Sequence, residues 1–469
     1  MIASNSGSRF TPLEQLTLGH VLVLLLGASW VFGGNIWWMR TVLSVWASLG
    51  LVLTIAAFLQ PGDRGQEARS RAWWLLPWAL FIVLVVVSAF NPSFRPMTAE
   101  GSPVLVNLGA RWPALPSSVE PAKALHELWF YSGVYLAAFN LLLVPRSRRL
   151  LRLLLVVGAT NCLVLAVFGT LQKLIANDLY FGAAHSPNSR FFATFLYNNH
   201  WGAFMVLWLA TAAGLLFHHA TRASGRDLWH SPFTAAALGL LFIATSAPVS
   251  ASRAATTMAA TVMAIVIAHG LLRITASRRA HGRSLVPPIA ALLLIVLCTT
   301  AAVTWLAQRS IHERYRETQL ALEGNQSLLS GRIDLYRDTW ELAERKPVFG
   351  WGFESFSSAF FLIRPRPLQA NRQYESSYAE AHSDWLQSVA ETGFVGTALA
   401  VLMGLIPLAA LTRRAWRHPL VLYPLSGCGL VALYAWIEFP YANGAVLVAF
   451  WIIFFAACRY ARLGRVAVG

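Results

Sequence analysis

The chain is written in long apolar stretches broken by short polar ones. A membrane-spanning helix needs about 20 mainly apolar residues. Twelve stretches approach that length, at 18–34, 41–59, 72–90, 127–144, 153–171, 199–217, 232–249, 254–272, 286–307, 394–411, 419–437 and 443–458. This pattern predicts an all-α integral membrane protein with about 12 transmembrane helices and one large, partly helical loop. The first stretch follows a tail with one basic residue, Arg9, and no small-x-small cleavage site. It reads as a retained helix rather than a removed signal peptide.

The connections between stretches carry an orientation. Short loops on the cytoplasmic side of a membrane collect Lys and Arg. With the N-terminus inside, the inner segments hold 20 basic residues and the outer segments other than 308–393 hold 7. An even number of spans returns the C-terminus to the inside, so both termini are expected to be cytoplasmic. Three outer segments are long. Residues 91–126 are rich in Pro and Ser and read as irregular, and 172–198 end in Thr194-Phe195-Leu196-Tyr197-Asn198, with Asn199 opening the next span. The third, 308–393, holds 10 of the 37 basic and 12 of the 21 acidic residues, enough polarity for a small domain of its own. The predicted organisation is a membrane domain over 1–307, a loop domain over 308–393 and a second membrane part over 394–469. Within the loop, Gln308 to Arg345 reads as helix with an apolar stripe of Ile333, Tyr336, Trp340 and Ala343. Pro347 and Gly350-Trp351-Gly352 end it, and a second short helix starts near His382 and runs to Gly393.

Composition agrees with this picture. The apolar fraction is 56 % and the charged fraction 12 %, half the usual share for a soluble domain. So few charges cannot cover a water-facing surface. The net charge of +16 would otherwise suggest nucleic acid, but basic inner loops explain it and no nucleic-acid recognition motif is present. Cys162, Cys298, Cys428 and Cys458 all lie in apolar stretches, unsuited to a metal or a disulfide staple.

Four features could carry chemistry. Arg253, in Ser250-Ala251-Ser252-Arg253, sits between two spans with almost no loop. It is either a snorkelling interfacial residue or an anion ligand, since guanidinium binds phosphate oxygens in a fork. Arg190 stands before the sixth span with the same two readings. Asn198 and Asn199 follow it, and can bind sugar or phosphate or cap the helix. Arg332 lies in Gly331-Arg332-Ile333-Asp334-Leu335-Tyr336, where a solvated helix charge is the plainer reading. His382, in Glu380-Ala381-His382-Ser383-Asp384-Trp385, lies at a helix start. The positive end of a helix disfavours imidazolium, and a neutral imidazole can take a proton from a hydroxyl. Glu391 lies two turns on, with Asp384 and Gln387 on a similar face. There is no His-x-x-x-His pair and no dense acidic cluster, so no metal site is expected. There is no phosphate-binding lysine loop, so no nucleotide cofactor is expected.

The run Arg332 to Gly352, followed by Ala381-His382-Ser383-Asp384-Trp385-Leu386-Gln387 and Glu391-Thr392-Gly393-Phe394-Val395-Gly396, resembles the signature loop of the O-antigen ligase/polymerase superfamily. Arg190…Thr194-Phe195…Asn198-Asn199 and Ser252-Arg253 resemble that family's two other arginine motifs, and Glu438-Phe439-Pro440 stands before the last span as it does there. The order of spans, with a large loop between the ninth and tenth, matches over nearly the whole chain. The resemblance implies a GT-C-like glycosyltransferase of the bacterial inner membrane with its active site facing the periplasm. It implies a glycan donor on undecaprenyl pyrophosphate, and a lipid A core, a growing glycan chain or a protein side chain as acceptor. Arg190 and Arg253 would hold the pyrophosphate, with Asn199 and Glu391 as further substrate contacts. His382 would orient or deprotonate the acceptor, and Arg332 would support the loop or the phosphates. Transfer would invert the anomeric centre without a metal. The family usually has Asn near the position of Asp384, a departure that bears on the acceptor.

The competing reading is a transporter, for a small anion such as bicarbonate or for a glycolipid. Transporters place polar or broken helices at the bilayer midplane, often in related halves. Here the polar residues gather at the outer edge and no repeat is visible. A scaffold for an envelope complex would leave the arginine and histidine placement unexplained.

Overall fold

The computed structural model describes residues 10–99, 102–175, 179–180, 184–185, 190–220, 231–323, 330–363 and 379–463. It is mostly helical. In chain order the helices are α1 (Pro12–Trp30), α2 (Trp37–Leu59), α3 (Gly62–Arg69) and α4 (Leu76–Ala89). Then come the strands β1 (Phe94–Ala99) and β2 (Ser102–Asn107), helices α5 (Pro121–Leu143) and α6 (Arg148–Leu174), and the two-residue strands β3 (Leu179–Tyr180) and β4 (Ala184–His185). Helices α7 (Asn198–Ala220), α8 (Pro232–Val249), α9 (Arg253–Ala280), α10 (Val286–Glu323), α11 (Ser330–Arg345) and α12 (Phe356–Ala359) follow. The chain closes with α13 (Asp384–Ala409), α14 (Pro419–Tyr434) and α15 (Gly444–Arg462).

Among the described residues, ten helices are long and apolar enough to cross a membrane, with α3 and α4 counted as one. Of the twelve expected spans, those at α5 and α14 fall outside that measure. Helix α5 carries Lys123, His126 and Glu127 in its first two turns and Asn140 near its end. Helix α14 has only 16 residues, a rise of roughly 24 Å against a hydrocarbon core of about 30 Å. Both nevertheless pack inside the bundle, α5 against α2 and α15, and α14 against α7.

Helix α7 is the centre of the bundle, with every residue from His200 to His218 buried. Small residues let the helices approach it and one another, as membrane helices require where no hydrophobic drive separates lipid from protein. A Cβ at Gly202 would stand 2.6 Å from the Ala255 methyl of α9, and one at Gly50 would stand 2.9 Å from the Ala137 backbone of α5. The amide of Asn140 closes the second contact by donating to Gly50 O at 2.8 Å and accepting from Thr54 Oγ1 at 3.0 Å.

Charges gather at the two ends of the bundle. At one end Glu67 is shared by Arg71 (2.5 Å), Arg146 (2.9 Å) and Arg459 (2.6 Å). This is the end where the basic short loops lie. The opposite end, where α7 begins, carries the loop elements and is called the site end below.

The loops differ in part from expectation. Phe94–Ala99 and Ser102–Asn107 pair as antiparallel strands rather than irregular chain. Helix α10 runs from its apolar stretch to Glu323, so position 308 lies within a continuous helix. The α11 stripe is rotated from the expected one. Leu335, Thr339, Leu342 and Ala343 are buried, whereas Ile333 and Trp340 are 53 % and 43 % exposed. The physical cause is the partner: that face meets Trp351, Phe356, Phe360, Ala381 and Ala390, while the Trp340 indole turns outward to Glu344. The short helix expected from His382 to Gly393 is the first part of α13, joined to the tenth apolar stretch through a kink at Gly393 (φ 64°, ψ −175°). That backbone is open only to glycine. It lets Phe394 N and Val395 N donate to Pro347 O (2.8 Å) and Val348 O (3.2 Å), tying the loop to the membrane helix.

Candidate active site at the loop end of the bundle

Three turns remote in sequence converge at the site end. Each contains a non-glycine residue with positive φ: Ala193 at 49°, Ala251 at 58° and His382 at 52°. Such residues cost of order 1–3 kcal/mol and persist where surrounding contacts over-determine them. At His382 those contacts are visible. Ser383 caps α13 by accepting from Leu386 N at 3.3 Å, and the Tyr336 hydroxyl lies within donating distance of His382 O (3.1 Å) and Ile437 O (3.3 Å).

Glu438, in the connection between α14 and α15, is the hub. Its Oε1 accepts from Arg332 Nη2 at 2.5 Å and from Asn199 Nδ2 at 2.9 Å. Its Oε2 stands 3.5 Å from His382 Nδ1, at the outer limit of a hydrogen bond, and neither atom has a closer partner among the described residues. Arg332 Nη1 also donates to Ile437 O at 3.2 Å. Asn199 continues the chain: its second amide hydrogen goes to the Tyr197 hydroxyl (2.7 Å), and its Oδ1 accepts from Ser252 Oγ (2.6 Å). Asn198 binds the same turn through Ser250 O at 2.9 Å. Phe439 fills the space beneath, stacked on Tyr197 and edge-on to His382 with centroids 4.8 Å apart.

The electrostatics follow from this geometry. Burial opposes ionisation of Glu438, but the His382 hydrogen bond and the Arg332 guanidinium outweigh it and hold the carboxyl below its ordinary value. Burial likewise opposes the charge on Arg332, and the Glu438 carboxylate more than restores it. Burial, with the Glu438 charge adding to it, pushes the Tyr197 phenol up to about 12, so it stays protonated. The His382 ring turns Nδ1 toward the Glu438 carboxylate and is 31 % exposed.

The expected site residues divide. Arg332, Asn199 and His382 meet on Glu438. Arg253 is exposed as the first residue of α9, directly after Ser252. Arg190 is exposed and near enough to Tyr197 for its charge to act on that phenol. Glu391 stands apart from the Glu438 hub. It lies eight residues down α13 from the Ser383 cap, roughly 12 Å. Its two oxygens accept from Phe356 N and Glu354 N, both at 3.0 Å, so it holds the loop after Gly352. The spacing put it near the right helix face but could not show these backbone donors. Asp384 accepts from Tyr441 N at 2.9 Å, an interaction an asparagine carbonyl could equally make. Glu438 was visible only as part of a motif. The available signal was a lone acid in a short outer loop.

Among the described residues, no group of three or more His, Cys, Asp or Glu side chains is placed to hold a metal ion. Chemically the cluster sets an imidazole and a guanidinium against one buried carboxylate.

Residues 238–401 match the protein family described as O-antigen ligase. The matched stretch runs from within α8 to within α13. It includes Arg253, Arg332, His382 and Glu391, while Asn199, Arg190 and Glu438 lie outside it. No curated protein matches the chain.

Proposed function

This chain belongs to the O-antigen ligase/polymerase superfamily, by the match over residues 238–401, and from that premise we infer that it moves a glycan from undecaprenyl pyrophosphate to an acceptor hydroxyl. The observation that carries the reading is the hub at Glu438, which draws Arg332, Asn199 and His382 from three separate segments onto a fourth. The fold is read as GT-C-like, set in a bacterial inner membrane with this cluster facing the periplasm.

In this mechanism His382 Nε2 takes the proton of the acceptor hydroxyl. The acceptor oxygen forms a bond to the anomeric carbon as the bond from that carbon to the pyrophosphate oxygen breaks. The electron pair leaves on the pyrophosphate, where Arg253 and Arg190 stabilise it as forks for phosphate oxygens. Attack from the face opposite the leaving group inverts the centre. Glu438 is a positioning residue: it holds Nδ1–H and stabilises the imidazolium that forms, as the third member of a catalytic triad does. Arginine supplies the charge that a divalent cation supplies elsewhere. The acceptor is a lipid A core, a glycan chain or a protein side chain. A transporter gains no support from the family match, and its midplane polar site has no counterpart in this cluster.

The test is complementation of a strain lacking the gene, with surface glycan resolved on a gel. Wild type restores lipid A-linked or lengthened glycan. Arg253→Ala, present in the membrane at equal level, leaves the glycan on its lipid carrier. Normal glycan from Arg253→Ala would remove the pyrophosphate role. In membranes treated with EDTA transfer continues, and strict dependence on Mg²⁺ or Mn²⁺ would contradict the metal-free mechanism.

A further inference from the structure

A crevice of about 330 Å³ opens between α6 and α8, with α7 as its floor. It exists because the facing residues are small: Ala159 on α6, Ala212 on α7, and Ala235, Ala236 and Gly239 on α8. Its rims, at Val156, Thr160 and Ala235, are exposed on the outer face of the bundle, while Ala212 on its floor is buried. Apart from Thr160 and His219 its lining is apolar, and a crevice of that kind opening to lipid holds hydrocarbon.

Position along the helices limits which hydrocarbon. The crevice spans α8 from Pro232 to Ile243, and α8 ends at Val249 in the turn that carries Arg253. At 1.5 Å per residue, its upper end lies roughly 9 Å below that turn and its lower end roughly 26 Å below it. The hydrocarbon core is about 30 Å thick, with its midplane near 15 Å. The crevice thus crosses the midplane and lies mostly in the far half. An ordinary acyl chain of the leaflet at the site end stops near the midplane. A chain that enters from the site end and fills the crevice must be longer than half the bilayer. The turn that follows α8 carries Ser252, hydrogen-bonded to Asn199 at 2.6 Å, with Arg253 next in sequence. An anionic head at Arg253 joined to one long apolar tail fits both ends.

We propose that the α6–α7–α8 crevice holds the distal half of the donor's polyprenyl tail, so that tail length is read by this crevice while the pyrophosphate sits at Arg253. The proposal rests on the transferase reading above. It assigns Ala236 and Gly239 as specificity-determining residues remote from the chemistry. At Gly239 an added Cβ would stand 3.7 Å from Leu163, an ordinary contact, so larger side chains there fill the crevice before they strain the backbone.

The experiment uses the full chain in phosphatidylethanolamine–phosphatidylglycerol nanodiscs, with glycan donors on undecaprenyl and on geranyl pyrophosphate. Wild type is expected to favour the long donor in kcat/KM by about tenfold or more. Gly239→Leu and Ala236→Phe are expected to lose most of that preference, chiefly through KM for the long donor, with the geranyl donor turned over as by wild type. In parallel, undecaprenyl pyrophosphate with a photoreactive group at its far end is expected to label wild-type peptides covering 156–163 and 232–243. This measurement needs no variant to fold. Failure of wild type to turn over either donor would defeat the transferase reading itself. Turnover by wild type, with undiminished chain-length preference in both variants and labelling elsewhere, would overturn the crevice assignment alone and leave a phospholipid of the far leaflet as its occupant.

Discussion

Asn199 donates to Glu438 at 2.9 Å although 239 positions separate them in the chain. The same side chain accepts from Ser252 at 2.6 Å, so one amide uses its donor end on one motif and its acceptor end on another. Asn and Gln carry an NH₂ donor and a carbonyl acceptor on one planar group. Asn199→Asp would set a second carboxylate against Glu438, and two carboxylates at that distance cannot both ionise. Breaking a buried charged contact costs roughly 3 kcal/mol, which is about a hundredfold in rate. Transfer by Asn199→Asp is expected to fall by that order at neutral pH and to recover partly below pH 6, where the pair can share a proton. Rates across pH in membranes matched for protein level check it.

Glu438→Gln keeps the size of the side chain and removes its charge. It takes away the acceptor for His382 Nδ1–H and leaves Arg332 unmatched. Losing the orienting acid is expected to lower kcat by roughly 10² to 10⁴ with little change in KM for the donor. The folded-state carboxyl is held below its ordinary value. Its stabilising effect is therefore present above the ordinary carboxyl value and is lost as pH falls through the lower, folded-state value. The difference in Tm between wild type and Glu438→Gln should be flat from pH 5 to 8 and should shrink only in more acid buffer.

Glu380 behaves in the opposite sense. Burial first, and then the nearby Glu354 charge, push its carboxyl up to about 7. Its folded state binds a proton that the unfolded chain has released, so stability falls as pH rises from the ordinary carboxyl value through about 7. Glu380→Gln removes that loss while keeping an acceptor for Gln387, which now donates to Glu380 at 2.7 Å. Its Tm is expected to exceed that of wild type by a few degrees at pH 8 and to match it near pH 4. Thermal scans at the two pH values decide it.

Much of this was legible from local pattern. Apolar runs announce membrane helices because lipid demands them regardless of tertiary detail, and α2, α7 and α8 lie close to where the runs place them. His382 and Arg332 were legible through motif spacing. What local pattern missed depends on long-range packing. Ile333 and Trp340 are as apolar as Leu335 and Leu342, and only the position of Trp351 and Phe356 decides which pair is buried. Glu391 and Glu438 are both acids beside glycine- or proline-containing turns. One is satisfied by backbone N–H groups and the other by Arg332 and Asn199, partners 106 and 239 residues away.

Gly393 joins the loop to the membrane helix. A Cβ there would stand 2.2 Å from Val348 O, on a backbone closed to other residues. Gly393→Ala must therefore break the pairing of Phe394 and Val395 with Pro347 and Val348. The expected cost is above about 3 kcal/mol, seen as a lower Tm and faster proteolysis within 345–393. A nearby control, Gly331→Ala, has open space around its Cβ and should be silent.

The most direct measurement is transfer by purified protein in lipid, with glycan-linked undecaprenyl pyrophosphate, candidate acceptors, and wild type beside His382→Ala. The expected result is a new glycan–acceptor product from wild type and loss of turnover by about a thousandfold in His382→Ala, with donor binding retained. Equal turnover by the two proteins would contradict His382 as the base, and no turnover by wild type with any acceptor hydroxyl would contradict the transferase itself.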